Sequence, residues 1–489
     1  MNFSCFIIGE ETLTVRCADI LLKRGHEING LISQNQEISR WANEHNIRLI
    51  AADSDLQATL GKSSFDYLFS IANLRLLPKK LVELPRRGAI NFHDGPLPRY
   101  AGIHSTSWAL MNHESKHGVT WHFVGDVVDG GGILKQQPVE ITDGETAFSL
   151  NTKCFAAGIE TFPELIDELS NGTHQVREQD FSMGSYFGMW QRPEAAGIIS
   201  WSNEAARISA LVRALDLGPY PKALGRPKIM IGNGFMLCTE LEVLGTSLGS
   251  PPGTITAIEP GRIRIASRDN EIGIGQLMTL FGKPITVKEL VERYGLRVGT
   301  KLPEASCASV ERITNLNNEI CKYESFWRKR LSSLQPVSLP YLETADIGPQ
   351  ATDSDELDFS IPAELFGYLR RLWPDRKGAD IVVSAFSLYL ARLGGEGRFD
   401  LGLRWPGLVE ACDGVGELFA TAVPLAHRRR LRYPNSFVYA SGFGRASGRA
   451  RKKDVSLRCV EPLPRIANRC RKKRDSSPIC AGGTRRVPD

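Results

Sequence analysis

Over the first 84 residues, short apolar runs alternate with segments of helical period, and that rhythm leaves few folds open. FSCFII at 3–8 reads as a buried strand, and residues 11–24 carry apolar side chains at helical spacing. The pattern continues with a strand at 28–32, a helix at 37–45, a strand at 48–51, a strand at 66–72 and a helix at 79–84. Strands alternating with helices predict an α/β domain whose parallel sheet is joined by right-handed crossovers. Sites in such sheets gather beyond the carboxyl ends of strands. No GxGxxG follows the first strand, and Gly9 alone is a weak signal, so a dinucleotide cofactor is not expected.

Residues 88–134, GAINFHDGPLPRYAGIHSTSWALMNHESKHGVTWHFVGDVVDGGGIL, hold the densest chemistry. Two apolar runs, 89–92 and 119–124, each stop at polar residues. Asn91 and His93 lie two apart on the first, so both leave the strand on one face. Turn-formers follow at once, as at a strand that ends on a site. The second run ends in GDVVDGGG, where Asp129 precedes three glycines expected to let backbone approach a ligand closely. The set suits acyl transfer: an amide can donate to a developing oxyanion, an imidazole can move a proton, and a carboxylate can hold it in position.

Asn-x-His, the Leu-Pro turn, HGVTWHFV and the Asp-Gly-Gly run together resemble the folate-dependent formyltransferases. That family includes the glycinamide ribonucleotide and methionyl-tRNA enzymes. NFHDGPLPRYAG…HGVTWH is most similar to the formylation domains fused to nonribosomal peptide synthetases. The resemblance implies a Rossmann-like domain that moves a formyl group from 10-formyltetrahydrofolate to an amine. It assigns the oxyanion contact to Asn91, worth roughly 3–4 kcal/mol in the transition state. His93 would carry the proton, and Asp129, 38 residues beyond Asn91, would orient His93. The pterin contacts would come largely from backbone at Arg75, Leu76 and Leu77 and at Gly125, Asp126, Val127 and Val128. Gly95, Pro96, Leu97 and Pro98 stand where the family has Ser-Leu-Leu-Pro, a departure that changes the side chains lining the folate site.

Near residue 191 the rhythm changes. A helix within 199–215 precedes KIMIG, FMLCTELEVLG, GTITAIE, RIRIAS and EIGIGQLM, short strands separated by turns that predict a small β barrel. The segment ISWSNEAARISALVRALDLGPYPKAL resembles the entry to the oligonucleotide-binding-like second domain of methionyl-tRNA formyltransferases. Five regions are therefore expected: a catalytic domain over 1–195, an OB-like domain over 196–305, a linker at 306–318, and two more. Residues 319–426 resemble part of an α+β peptide-synthetase condensation domain, but the HHxxxDG of that family is absent and no two of the nine histidines adjoin. Residues 427–489 lose all apolar periodicity and read as a disordered tail, with the look of a shifted reading frame.

The tail also distorts the net charge of +5: it holds 18 Lys and Arg against 4 Asp and Glu, so residues 1–426 carry −9. That weighs against tRNA, which needs a basic face. The ten cysteines form no CxxC pair, so neither zinc nor a disulfide framework is indicated and a reducing cytoplasm is expected. His104, His113, His117 and His122 fit no standard ligand spacing, so no metal is expected. No stretch approaches the ~20 apolar residues that span a membrane. With a synthetase-like fragment downstream, the expected acceptor is the α-amine of an aminoacyl thioester on a carrier protein. A methionyl-tRNA or nucleotide-sugar formyltransferase is one alternative. A non-catalytic remnant of a truncated synthetase is another.

Overall fold

The computed structural model describes residues 1–246, 249–340, most of 362–428, and 439–440. The chain divides into two compact units, Met1–Lys322 and a second that begins at Tyr323.

The first unit opens with β1 (Ser4–Gly9), α1 (Thr12–Lys23), β2 (Glu27–Ile32), α2 (Gln36–Glu44), β3 (Leu49–Ile50), α3 (Leu56–Leu60), β4 (Tyr67–Ile71), α4 (Lys79–Val82) and β5 (Gly88–His93). There follow β6 (Ala101–Gly102), α5 (Ser105–Met111), β7 (Lys116–Phe123), β8 (Ile133–Glu140), α6 (Ala147–Asn171) and β9 (Tyr186–Phe187). Seven strands make one sheet in the order β3-β2-β1-β4-β5-β7-β8. β3 to β5 are parallel, as the alternation predicts. β7 and β8, beyond the stretch that alternates, run antiparallel, so the sheet is mostly parallel. The single short helix between β5 and β7 is no full crossover, so the chain turns back beside β5.

β4 is buried at every residue, the mark of a strand covered on both faces. One cover is α6, which sequence reading did not anticipate. Its N-terminus is closed by a reciprocal cap between Thr146 and Ser149. It buries Leu150, Cys154, Phe162, Leu165, Ile166 and Leu169 against the sheet.

After a turn at Glu194–Gly197 come α7 (Ala205–Ala214), β10 (Lys228–Ile231), β11 (Gly234–Thr246), β12 (Ile255–Glu259), β13 (Arg262–Ala266), β14 (Asn270–Thr279), β15 (Pro284–Ile285), α8 (Val287–Tyr294) and α9 (Cys307–Ile320). The strands form an antiparallel sheet, β10-β11-β14-β13-β12 with β15 on β14, around an interior that includes Ile229, Ile255, Ile265, Ile274 and Leu290. Among the described residues no ladder joins β10 to β12, the two ends of this order. The stretch expected as linker is helix α9. It is capped by Ser306 and packs on the turn at Glu194–Gly197, where Thr314 accepts from Ala195 N and, just before it, Asn318 from Arg192 N.

The second unit holds α10 (Glu324–Leu331), α11 (Ala363–Leu372), α12 (Gly378–Gly394), β16 (Arg398–Arg404), α13 (Pro406–Ala411), β17 (Ala422–Arg428) and β18 (Tyr439–Ala440). The three strands pair antiparallel. β17 runs through His427, whose ring stacks on buried Phe399 at 4.5 Å, so the boundary placed at 427 falls inside a strand. Apart from 427–428 and 439–440, the basic tail lies outside the described residues.

Candidate active site

Strand alternation builds the site. On β5, Ile90 and Phe92 enter the core while Asn91 and His93 leave on the other face. On β7, Val119 and Trp121 are core, and Thr120 and His122 share the face of Asn91 and His93. The antiparallel register sets Asn91 directly opposite His122 and His93 opposite Thr120. Asp129 arrives from the loop between β7 and β8 with a positive φ of 54°.

The three expected residues converge. His93 is buried, and its Nε2 donates to Tyr100 O at 2.8 Å. A carbonyl only accepts, so the remaining nitrogen, Nδ1, is the one that gains and loses a proton. Nδ1 stands 3.7 Å from Asp129 Oδ2 and 3.9 Å from Asp94 Oδ1. Asp129 Oδ2 also accepts from Gly102 N at 2.8 Å. Burial pushes the Asp129 carboxyl up, but the His93 charge, the His122 hydrogen bond and charge, and the Gly102 N–H outweigh it. The group is held down at about 2.

His122 joins this set, and sequence reading gave it no role. Its Nδ1 donates to Phe123 O at 2.8 Å, while Nε2 lies 3.2 Å from Asn91 Nδ2 and 3.6 Å from Asp129 Oδ1. A neutral His122 therefore accepts from the Asn91 amide, and a protonated one instead turns an N–H toward Asp129. Only register reveals the pairing, because 31 residues separate the two along the chain. Other contributors invisible in sequence are backbone groups, Tyr100 O and Gly102 N, presented by positive-φ residues.

The turn after β5 is held from behind. Thr120 Oγ1 donates to Gly95 O at 2.7 Å and accepts from Leu97 N. Gln136 Nε2 donates to Leu97 O. Leu97 is buried with both main-chain groups engaged, whereas Pro96 and Pro98 are half-buried. At Gly95 any Cβ would sit 2.6 Å from His93 Nε2.

Of the residues expected around the pterin, Arg75 and Leu76 are exposed and Leu77 packs on the same cluster as Val124. Gly125, Asp126, Val127 and Val128 are exposed, and Lys79 Nζ pairs with Asp126 at 2.9 Å, tying this loop to α4. The glycines after Asp129 are packed closely by the chain itself: a Cβ on Gly131 would lie 1.7 Å from Phe123 O, and one on Gly132 2.3 Å from Val176. Among the described residues no cluster of His, Cys, Asp and Glu is arranged to hold a metal. Nor is any helix long and apolar enough to cross a membrane.

Asn91, His93 and Asp129 thus come together beyond the carboxyl end of β5. Residues 25–166 match the family described as formyl transferase, and 193–295 match the formyl transferase C-terminal domain. The two regions take in half of the chain, which belongs to the formyl transferase family and is an enzyme of that type.

Among solved structures, an N-formyltransferase from Helicobacter canadensis in complex with folinic acid and dTDP-3-aminofucose is 18% identical. The match covers 56% of this chain and 99% of that one at a TM-score of 0.46. WlaRD, a sugar 3N-formyl transferase crystallised in the presence of dTDP and 5-N-formyl-THF, is 19% identical, covering 56% and 98% at 0.46. HypX from Aquifex aeolicus in complex with tetrahydrofolic acid is 14% identical, covering 63% of this chain and 50% of that one at 0.44.

Proposed function

We propose that the formyl donor is 10-formyltetrahydrofolate and that the acceptor is an amine, namely the α-amino group of an aminoacyl thioester on a carrier protein. The observation that carries the reaction is the convergence of Asn91, His93 and Asp129 at one end of the sheet, with His93 Nδ1 facing the carboxylate. The fit to a folate is supported by exposed apolar side chains, Leu74, Leu76, Val127 and Val128, on two loops, the second of them held to α4 by the Lys79–Asp126 pair. A flat ring can lie between such loops and take hydrogen bonds from their backbone.

The donor supplies an activated formyl group. The acceptor nitrogen forms a bond to the formyl carbon, the bond from that carbon to the folate nitrogen breaks, and one proton passes from the former nitrogen to the latter. Asn91 gives one amide hydrogen to His122 and has the second for the formyl oxygen as it takes on negative charge. His93 takes the proton at Nδ1 and returns it there. Asp129 stabilises the charged imidazole and keeps its ring in place. The reaction needs no covalent acyl-enzyme, because the acceptor amine attacks the formyl carbon directly.

The carrier-bound acceptor rests on the resemblance of residues 319–426 to a condensation domain. The test is to incubate the full chain with 10-formyltetrahydrofolate and three acceptors: aminoacyl-carrier thioesters, methionyl-tRNA and an amino-sugar nucleotide. Formyl transfer to the thioester, lost in Asn91→Ala and His93→Ala, is the expected result. Transfer only to the sugar nucleotide or the tRNA overturns the acceptor. Failure to bind 5-formyltetrahydrofolate overturns the donor.

A further inference from the structure

Residues 167–192 fall between the two matched regions, and a strap within them grips the Asp129 turn from outside the motif. Asp129 has a Cβ and a φ of 54°. Residues with a Cβ adopt this left-handed conformation sparsely, and it persists where the surroundings impose it. The Gln179 side-chain amide donates to Asp129 O and to Gly131 O, both at 2.7 Å, so one nitrogen closes two carbonyls of the turn. Gly131 has no room for a side chain on that side, since a Cβ would lie 1.7 Å from Phe123 O.

The same strap continues to Ser185. Its Oγ accepts from Tyr100 N at 2.8 Å, its N–H donates to Pro98 O at 3.2 Å, and its carbonyl accepts from Ala101 N at 2.9 Å. Next, β9 pairs with β6 in parallel. One segment thus fixes the main chain of Asp129, the Tyr100 carbonyl that receives His93, and the Gly102 N–H that meets the Asp129 carboxylate.

We propose that Gln179 is a positioning residue for formyl transfer. Its amide sets the turn that aims the Asp129 carboxylate at His93 and His122, and it touches neither substrate. The inference deepens the reading under Proposed function and rests on it. Donation is the essential property. A glutamate of the same shape would set a carboxylate against two carbonyl oxygens with no hydrogen to offer. Gln179 is only half-buried, so neither Ala nor Glu there removes core volume.

The experiment uses the full chain as wild type, Gln179→Ala, Gln179→Glu, Asp129→Asn and the Gln179→Ala/Asp129→Asn double variant. Formyl transfer to the acceptor that wild type uses is measured alongside amide hydrogen exchange over residues 125–132, which needs no substrate. Both Gln179 variants should lose about 100-fold in kcat, the scale of a misplacement near 1 Å. The KM for the acceptor should move less than about threefold, because an interaction that acts only in the transition state leaves KM unchanged. Exchange over 125–132 should quicken, and the double variant should be no slower than Asp129→Asn alone. Wild-type kcat in Gln179→Glu, unchanged exchange, or losses that multiply in the double variant would each overturn the proposal. A wild type that binds no 5-formyltetrahydrofolate overturns the functional reading itself, an outcome kept separate by the substrate-free exchange measurement.

Discussion

The Tyr100 carbonyl takes the hydrogen bond from His93 Nε2 at 2.8 Å, so Tyr100 serves the site through its backbone and not its ring. Its φ of 60° aims that carbonyl at the imidazole. Its hydroxyl is occupied elsewhere, donating to Glu114 at 2.8 Å and accepting from Asn112. Tyr100→Phe should therefore keep kcat within about twofold while unfolding in urea about 1–2 kcal/mol more easily, the scale of a lost buried hydrogen bond.

Asn91 and His122 face each other across β5 and β7. Asn91→Ala should lower kcat by about 10²- to 10³-fold, the loss typical of one oxyanion donor. His122→Ala leaves the amide in place but unpinned. Its loss should be smaller than that of Asn91→Ala, and the two should not multiply, because both act on one hydrogen bond. Steady-state rates of the single and double variants check this.

The Asp129 carboxyl sits at about 2, below its ordinary 3.8, so the folded state favours the ionised form. That stabilisation is complete above pH ~4 and disappears as pH falls toward ~2; it amounts to about 2 kcal/mol. Asp129→Asn should unfold earlier in urea at pH 6, and the gap to wild type should narrow through that acid window.

Gly131 tests the turn by sterics. With a Cβ 1.7 Å from Phe123 O, Gly131→Ala must push the loop off the end of β7. A drop in kcat of at least about 10-fold is expected, from displaced geometry at Asp129. Gly144→Ala is the control: its φ is also positive, at 80°, but nothing lies within 4 Å of its Cβ. It should lose stability by roughly 1 kcal/mol through backbone strain and leave kcat unchanged.

Lys228 donates to Ala196 O at 2.7 Å and Arg226 O at 2.8 Å, and burial lowers its ammonium to about 8 from 10.5. Between those values the unfolded chain holds the proton more tightly, so stability attributable to Lys228 rises with pH. Urea unfolding of wild type relative to Lys228→Met should improve by about 3 kcal/mol from pH 8 to pH 10.5.

Much of this was legible in the residues. The alternation over 3–84 announced the sheet because burial forces period 2 on strands and period 3.6 on helices. Asn91 and His93 were legible because two positions on one strand share a face whatever the fold. Asp129 was legible only within its motif, since nothing local says that a loop 38 residues on returns to His93.

Contacts set by register and distance lay beyond sequence reading. His122 reaches Asn91 because β7 turns back beside β5 instead of crossing over. The helix at Cys307–Ile320 passed for linker because its one buried residue, Ile313, gives almost no apolar stripe. The packing that makes glycine necessary after Asp129 comes from Phe123, Val127 and Val176, none of which local sequence places there. Gln179 had no signal, being a polar residue 50 positions from the carbonyl it holds. The sequence alone determined which side chains could do the chemistry and which face of each strand they leave from, because those depend on residue type and on a period of two. Only the tertiary structure decided which nitrogen of His93 is free, what holds Asp129 in a left-handed turn, and which histidine meets Asn91. Each of these depends on hydrogen bonds between groups that chain connectivity leaves far apart.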